Sequence, residues 1–323
     1  MRIGVIGCGR WGRNHAATLS RLSVLAGVAD LVPERRELLA AELGCPATTT
    51  QSLLEDPSIT AVVIALPPAE QADVALSALA AGKHLLVEKP MALDAARAAQ
   101  IASRAKAAGV VAMTGHLLLF HPAWRAIKRI VAEGALGELR HIRTVRAGQG
   151  RFYPGTDVAW DLMPHDLSLV RDLVGALPED GHMVTTPVVS DRLADIVSVH
   201  GAFPDGPSLD LFVSRVAPKR VRRVLVQGSR ASLLWDEGED WSRRLCLTTN
   251  PDHDNLQVVE QHIQLDERQS LTEQLMQFIN TIEGKVPPRG TVFGGVDVLH
   301  FIQRIHPDQS RAAGSQQLAV ASI

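Results

Sequence analysis

The chain has 323 residues, 46% of them hydrophobic and 21% charged, with a formal net charge of −2. That balance supplies apolar side chains for two cores, and roughly 150 residues per domain predicts two domains. A near-neutral chain lacks the cationic surface a polyanion needs, and no run of 18 apolar residues exists to span a bilayer, so neither nucleic acid nor membrane is an expected partner.

The first strand is predicted over Arg2–Ile6, too short and too directly followed by a glycine loop to read as a secretory signal. Trp11–Ser20 predicts a helix, Val24–Ala29 a strand, and Pro33–Leu43 a helix with proline in its first turn, where the missing N–H costs nothing. Ala61–Leu66 predicts a buried strand ended by Pro67-Pro68, and Ala69–Ala80 a helix stopped by Gly82. His84–Val87 predicts a strand, Asp94–Ala108 a helix capped by Asp94 and ended by Gly109, and Val110–Met113 a further strand. Strands alternating with helices imply an α/β fold, a doubly wound parallel Rossmann sheet over residues 1–120.

Beyond residue 120 the rhythm changes. Helices are predicted over Pro122–Ala132 and over Asp161–Leu173, the latter closed by Gly175. Strand-like runs follow at Ile196–Phe203, Leu209–Val216, Val221–Gln227, Ala231–Trp235 and Leu256–Leu265, then helices at Ser270–Glu283 and Gly294–Ile305. Residues 121–306 therefore predict an α+β domain with a largely antiparallel sheet, and residues 307–323 a polar tail. Cys8, Cys45 and Cys246 are odd in number and far apart, which forms no disulfide framework and fits a reducing cytoplasm. The histidines are dispersed without metal-ligand spacing, so no metal is expected.

Chemistry concentrates in three places. Gly7-Cys8-Gly9-Arg10-Trp11-Gly12 follows a strand and opens a helix. There Gly7 permits a tight turn, Gly9 lets the backbone approach a pyrophosphate, and Gly12 allows close helix–strand packing. Asp30 ends the second strand, where a carboxylate accepts from ribose hydroxyls and repels a 2′-phosphate, so the expected cofactor is NAD. Glu88-Lys89-Pro90 sits at the carboxyl end of a strand, where ligands of open sheets bind, and the following proline suggests a cis bond. Lys89 there can stabilise a developing alkoxide, although in isolation it also reads as a surface lysine. In Trp160-Asp161-Leu162-Met163-Pro164-His165-Asp166, Asp161 and His165 are four apart and share a helix face, a carboxylate beside a candidate base. Pro164 suggests that this helix begins near Asp161, whose second reading is a plain cap. Arg10, Trp11, Leu66, Pro67, Glu88 and His116, placed at strand ends and in the glycine loop, complete the expected cofactor-binding set. Lys219-Arg220-Val221-Arg222-Arg223 suits a diphosphate or carboxylate, and equally a solvated strand edge.

With these segments, Gly7–His15, Ala78–Pro90, Thr114-Gly115-His116, Asp161 with His165, and Gly294–Val298, the chain resembles the Gfo/Idh/MocA oxidoreductase family. The resemblance implies a C-terminal domain that binds substrate and builds homodimers or homotetramers, and NAD-dependent oxidation of a sugar or polyol at one carbon. It casts Lys89 and His165 as the catalytic pair with Asp161 assisting. Gly115–Pro122 and Trp160–Asp166 resemble the branch acting on C3 of UDP-N-acetylglucosamine or its uronic acid. Leu117, Leu119, Gln71 and Ser168 depart from the residues many members carry. Alternatives are a dehydrogenase of a free sugar, inositol or sugar phosphate, and a non-catalytic NAD-binding sensor.

Overall fold

The computed structural model describes residues 1–150, 157–189, 193–251 and 257–307. The expected tail from residue 308 onward, and Leu256 at the start of one predicted run, lie outside the described residues.

The first sheet is parallel. Its elements are β1 (Ile3–Ile6), α1 (Arg10–Arg21), β2 (Leu25–Ala29), α2 (Pro33–Leu43), β3 (Ala47–Thr48), α3 (Thr50–Glu55), β4 (Ala61–Ile64), α4 (Pro68–Ala80), β5 (His84–Val87), α5 (Ala95–Ala108) and β6 (Ala112–Thr114). The strand order is β3-β2-β1-β4-β5-β6. The order reverses between β1 and β4, so their carboxyl ends flank the crevice where such sheets bind ligands. β1, β4 and most of β5 are buried, as expected of strands covered on both faces. α1 turns Gly12, His15, Ala16 and Leu19 inward, the spacing of a single helical face. Asp94 caps α5 by accepting from the Arg97 N–H at 2.7 Å, and Gly109 closes the helix in the left-handed region.

The second sheet has eight strands, reached through α6 (Pro122–Ala132). They are β7 (Leu139–Gln149), β8 (Asp180–Thr186), β9 (Ile196–Ala202), β10 (Ser208–Ser214), β11 (Val216–Gly228), β12 (Ala231–Asp236), β13 (Leu245–Thr249) and β14 (Glu260–His262), in the order β14-β13-β12-β11-β7-β10-β9-β8. Among the described strands of this sheet, only the β7–β10 pair is parallel. α7 (Val158–Val174) packs on β7 and β10, and α8 (Ser270–Ile282) and α9 (Val292–Ile305) return to the first sheet. There the Thr114 N–H donates to the Gly290 carbonyl at 2.8 Å, and the Gln303 side chain accepts from the Ala95 N–H at 3.0 Å.

The structure adds and corrects elements. β7, β8, β13 and α3 have no counterpart among the expected elements, and the Val221–Gln227 run extends back to Val216 across a register shift. α7 begins at Val158 rather than at Asp161: Asp157 caps it, accepting from the Ala159 N–H at 2.8 Å. Pro164 therefore lies inside the helix, where its ring nitrogen has no N–H for the carbonyl four residues earlier.

Candidate active site

The glycine loop is shaped from both sides. Gly7 holds φ at +98°, and a Cβ there would sit 2.3 Å from the Ala65 carbonyl oxygen. A Cβ on Gly12 would sit 1.6 Å from the Gly7 oxygen, so glycine alone lets α1 start this close to β1. Around Gly9 a Cβ would meet nothing within 4 Å. The first amides of α1 open on that space, which is the cradle a pyrophosphate fits. Asp30 braces the loop: Oδ2 accepts from the Cys8 N–H at 2.7 Å and Oδ1 from the Val32 N–H at 2.8 Å. An ionised carboxylate has about four lone-pair sites, so these two bonds leave capacity for ribose hydroxyls. Burial, with Asp30 next, pushes the Cys8 thiol up to about 11 and keeps it protonated. Arg10 is exposed, its guanidinium 5.9 Å from the half-buried Trp11 ring. Leu66 and Pro67 form the β4–α4 turn, with Leu66 against Gly7.

Glu88 and Lys89 follow β5, and the Lys89–Pro90 bond is cis, as the motif suggested. Glu88 is 8% exposed and faces into the protein. Its Oε1 lies 2.8 Å from His15 Nε2, and its Oε2 accepts from the Lys89 backbone N–H at 3.2 Å. Gly115 makes room for it, since a Cβ there would be 2.8 Å from Glu88 Oε2. Glu88 thus fastens α1 to the end of β5. Gln71, 0% exposed, donates from Nε2 to the Pro90 carbonyl at 2.8 Å.

Lys89 points across to α7. Its Nζ donates to the Asp161 carbonyl at 2.7 Å and to Asp161 Oδ1 at 3.0 Å. Asp161 shares a helix face with His165, as the spacing implied, but its carboxylate holds the lysine. Among the described residues, the His165 Nδ1 is buried without a hydrogen-bond partner, as are both ring nitrogens of His116. Burial, then Lys89 and Arg171, pushes His116 down to about 3. Burial, then Lys89, Arg146, His116 and Arg222, holds His165 well below its ordinary value. Both imidazoles are neutral at physiological pH.

Behind His165 lies an ion pair that the sequence reading did not anticipate. Arg146 on β7 donates from Nε to Asp166 Oδ2 and from Nη2 to Asp166 Oδ1, both at 2.8 Å, with both residues buried. This two-pronged bond clamps α7 to β7 one residue beyond His165. Among the described residues, no group of three or more His, Cys, Asp or Glu is arranged to hold a metal ion. No described helix is long and apolar enough to cross a membrane. A groove of about 460 Å³ between α3 and α4, lined by Thr50, Leu54, Asp73 and Ser77 among others, lies away from all of these groups.

A glycine turn between β1 and α1, with an ammonium after β5, a neutral imidazole after β6 and another on α7, fits an oxidoreductase with a nicotinamide-binding Rossmann domain. Residues 1–116 match the oxidoreductase family with NAD-binding Rossmann fold, and residues 124–234 match the GFO/IDH/MocA C-terminal domain. The chain is 36% identical to UDP-N-acetylglucosamine 3-dehydrogenase of Acidithiobacillus ferrooxidans over 70% of its length and 71% of that protein. It is 28% identical to scyllo-inositol 2-dehydrogenase (NAD(+)) of Bacillus subtilis, over 68% of each chain. A solved structure of UDP-N-acetylglucosamine 3-dehydrogenase GnnA from Acidithiobacillus ferrooxidans superposes with a TM-score of 0.83 at 31% identity, over 94% of this chain and 96% of that one. The chain belongs to the Gfo/Idh/MocA oxidoreductase family. It is an NAD-dependent dehydrogenase acting on a CH–OH group.

Proposed function

We propose that the substrate is a nucleotide-linked N-acetyl-hexosamine or its uronic acid, with hydride transferred between NAD and C3 of the sugar. The observation that carries this reading is the Lys89–Asp161 couple set beside neutral His165, in a chain that aligns nearly end to end with a UDP-N-acetylglucosamine 3-dehydrogenase. Bound NAD supplies the hydride acceptor. The protein supplies the rest.

Neutral His165 takes the proton of the sugar hydroxyl; its lowered pKa keeps the base form available well below neutrality. An ammonium has three hydrogens, and Asp161 engages Lys89 through two bonds. The third hydrogen of Lys89 stabilises the developing alkoxide. Asp161 acts by holding Lys89. Glu88 and Gln71 position Lys89 from below by fixing its own backbone and that of Pro90. Gly7, Gly9, Gly12 and Asp30, with Arg10, Trp11, Leu66, Pro67 and His116, surround the cofactor.

A substrate panel under NADH fluorescence tests the reading. UDP-N-acetylglucosamine, its uronic acid, scyllo-inositol, free hexoses and hexose phosphates are offered with NAD. The expected result is turnover of a UDP-sugar with kcat/KM at least about 100-fold above every free sugar. Turnover confined to inositol, hexoses or hexose phosphates overturns the substrate class. Tight NADH binding with no turnover on any compound points to a sensor.

A further inference from the structure

The basic run at residues 219–223 separates into different roles once the sheet forms. Lys219 and Arg220 are exposed, with Arg220 Nη2 3.2 Å from Glu237. Arg223 is on the opposite face of β11 from Arg222 and pairs with Asp236. Arg222 lies directly across from Arg146 in the β11–β7 register, with Val224 opposite Thr144 and Val226 opposite Ile142. Strand alternation puts those residues on the covered face of the sheet, toward α7. Arg222 is half-buried there, and its Nη1 donates to the Ala147 carbonyl at 2.6 Å and the Val221 carbonyl at 3.0 Å. Among the described residues no carboxylate lies within ion-pair distance of it, because its neighbour Arg146 holds both oxygens of Asp166.

Two guanidiniums placed opposite each other on a partly buried surface repel, and like charges across a strand pair are unfavourable. Only one of this pair has its counter-ion. Burial and the Arg146 charge pull Arg222 down to about 10, which still leaves it cationic at physiological pH. Its charge also reaches His165, so it stands close to the reacting end of the site. An arginine fork matches the geometry of carboxylate and phosphate oxygens, and an anion at this point would relieve the repulsion that the fold leaves in place.

We propose that Arg222 receives an anionic group of the substrate, either the carboxylate of a uronic acid or the diphosphate joining sugar to nucleotide, and so sets the sugar against Lys89 and His165. This inference rests on the nucleotide-sugar reading. The test compares the wild type with Arg222→Met on UDP-N-acetylglucosamine and on its uronic acid, with NADH titration confirming the fold. The expected result is a rise in KM of about 10- to 100-fold, with kcat falling far less, as for loss of one charge-assisted bond. A rise confined to the uronic acid assigns the contact to the carboxylate. An equal rise for both substrates assigns it to the diphosphate. Should the methionine variant fail to fold, Arg222→Lys keeps the charge but loses the fork, and its KM is expected to rise several-fold. An unchanged KM in a folded variant, while the wild type turns over UDP-sugars, overturns the role of Arg222 alone. A wild type confined to uncharged sugars overturns it together with the substrate class.

Discussion

The two halves of the candidate active site are built by different means. The cofactor side is local: Gly7, Gly9 and Gly12 lie in one turn, and Asp30 reaches it from the adjacent strand. The proposed substrate side is assembled from segments far apart in the chain, with Lys89 from the end of β5, Asp161 and His165 from α7, and Arg146 and Arg222 from the second sheet. A local site is specified by backbone geometry, and few residue types satisfy it. An assembled site is specified by charge and hydrogen bonding among side chains, each of which would pass as ordinary elsewhere.

That contrast can be broken by substitution. Lys89→Ala removes the ammonium held by Asp161 and is expected to lower kcat by about 1,000-fold or more while NADH affinity stays within a few-fold. Full turnover by this variant would sink the catalytic assignment. On the cofactor side, two glycines are expected to part company. Gly12→Ala drives a methyl into the Gly7 carbonyl and should destabilise the fold by about 3 kcal/mol. Gly9→Ala meets no protein atom, so it should melt like the wild type yet bind NADH more weakly. Equal melting temperatures for the two variants would refute the packing role of Gly12.

The remaining contrast is in the pH dependence. His116, His121 and His165 are held neutral in the folded protein, with His116 near 3 and His121 near 4, chiefly through burial. The unfolded chain binds protons at these residues near 6.5, so below that pH it carries more protons than the folded state. Stability is therefore lost as pH falls through 6.5, at up to about 1.4 kcal/mol per pH unit for each histidine. Melting curves between pH 8 and 5 should show this decline, and a flat profile would mean that these imidazoles protonate without unfolding. The same lowered value predicts that kcat/KM stays level from pH 8 to about 6, because protonation of His165 falls lower.

The first sheet was legible because its strands are short apolar runs punctuated by glycine and proline, and a parallel sheet buried on both faces demands such runs. β7 was not. Its covered face carries Ile142, Thr144 and Arg146, so the apolar alternation that marks a half-buried strand is missing. Its place is secured by pairing with β10 and β11 and by the Asp166 clamp, all distant in sequence. The start of α7 was misplaced for a related reason. Pro164 resembles a first-turn proline, whereas Asp157 caps the helix with a carboxylate that also accepts from the Ala194 N–H at 3.1 Å.

The sequence by itself determined the Rossmann sheet and the glycine loop, and singled out Asp30, Lys89, Asp161 and His165 as site candidates. Each of these rests on residues whose backbone or chemical demands are local, or on a pattern that recurs across a family. Only the tertiary structure decided how the ionisable groups pair. It set Asp161 on Lys89 rather than on His165, gave Asp166 to Arg146, and among the described residues left Arg222 without an ion-paired carboxylate. Pairing depends on which side chains the second sheet brings within a few ångströms and out of water, and that distance is a property of the folded chain.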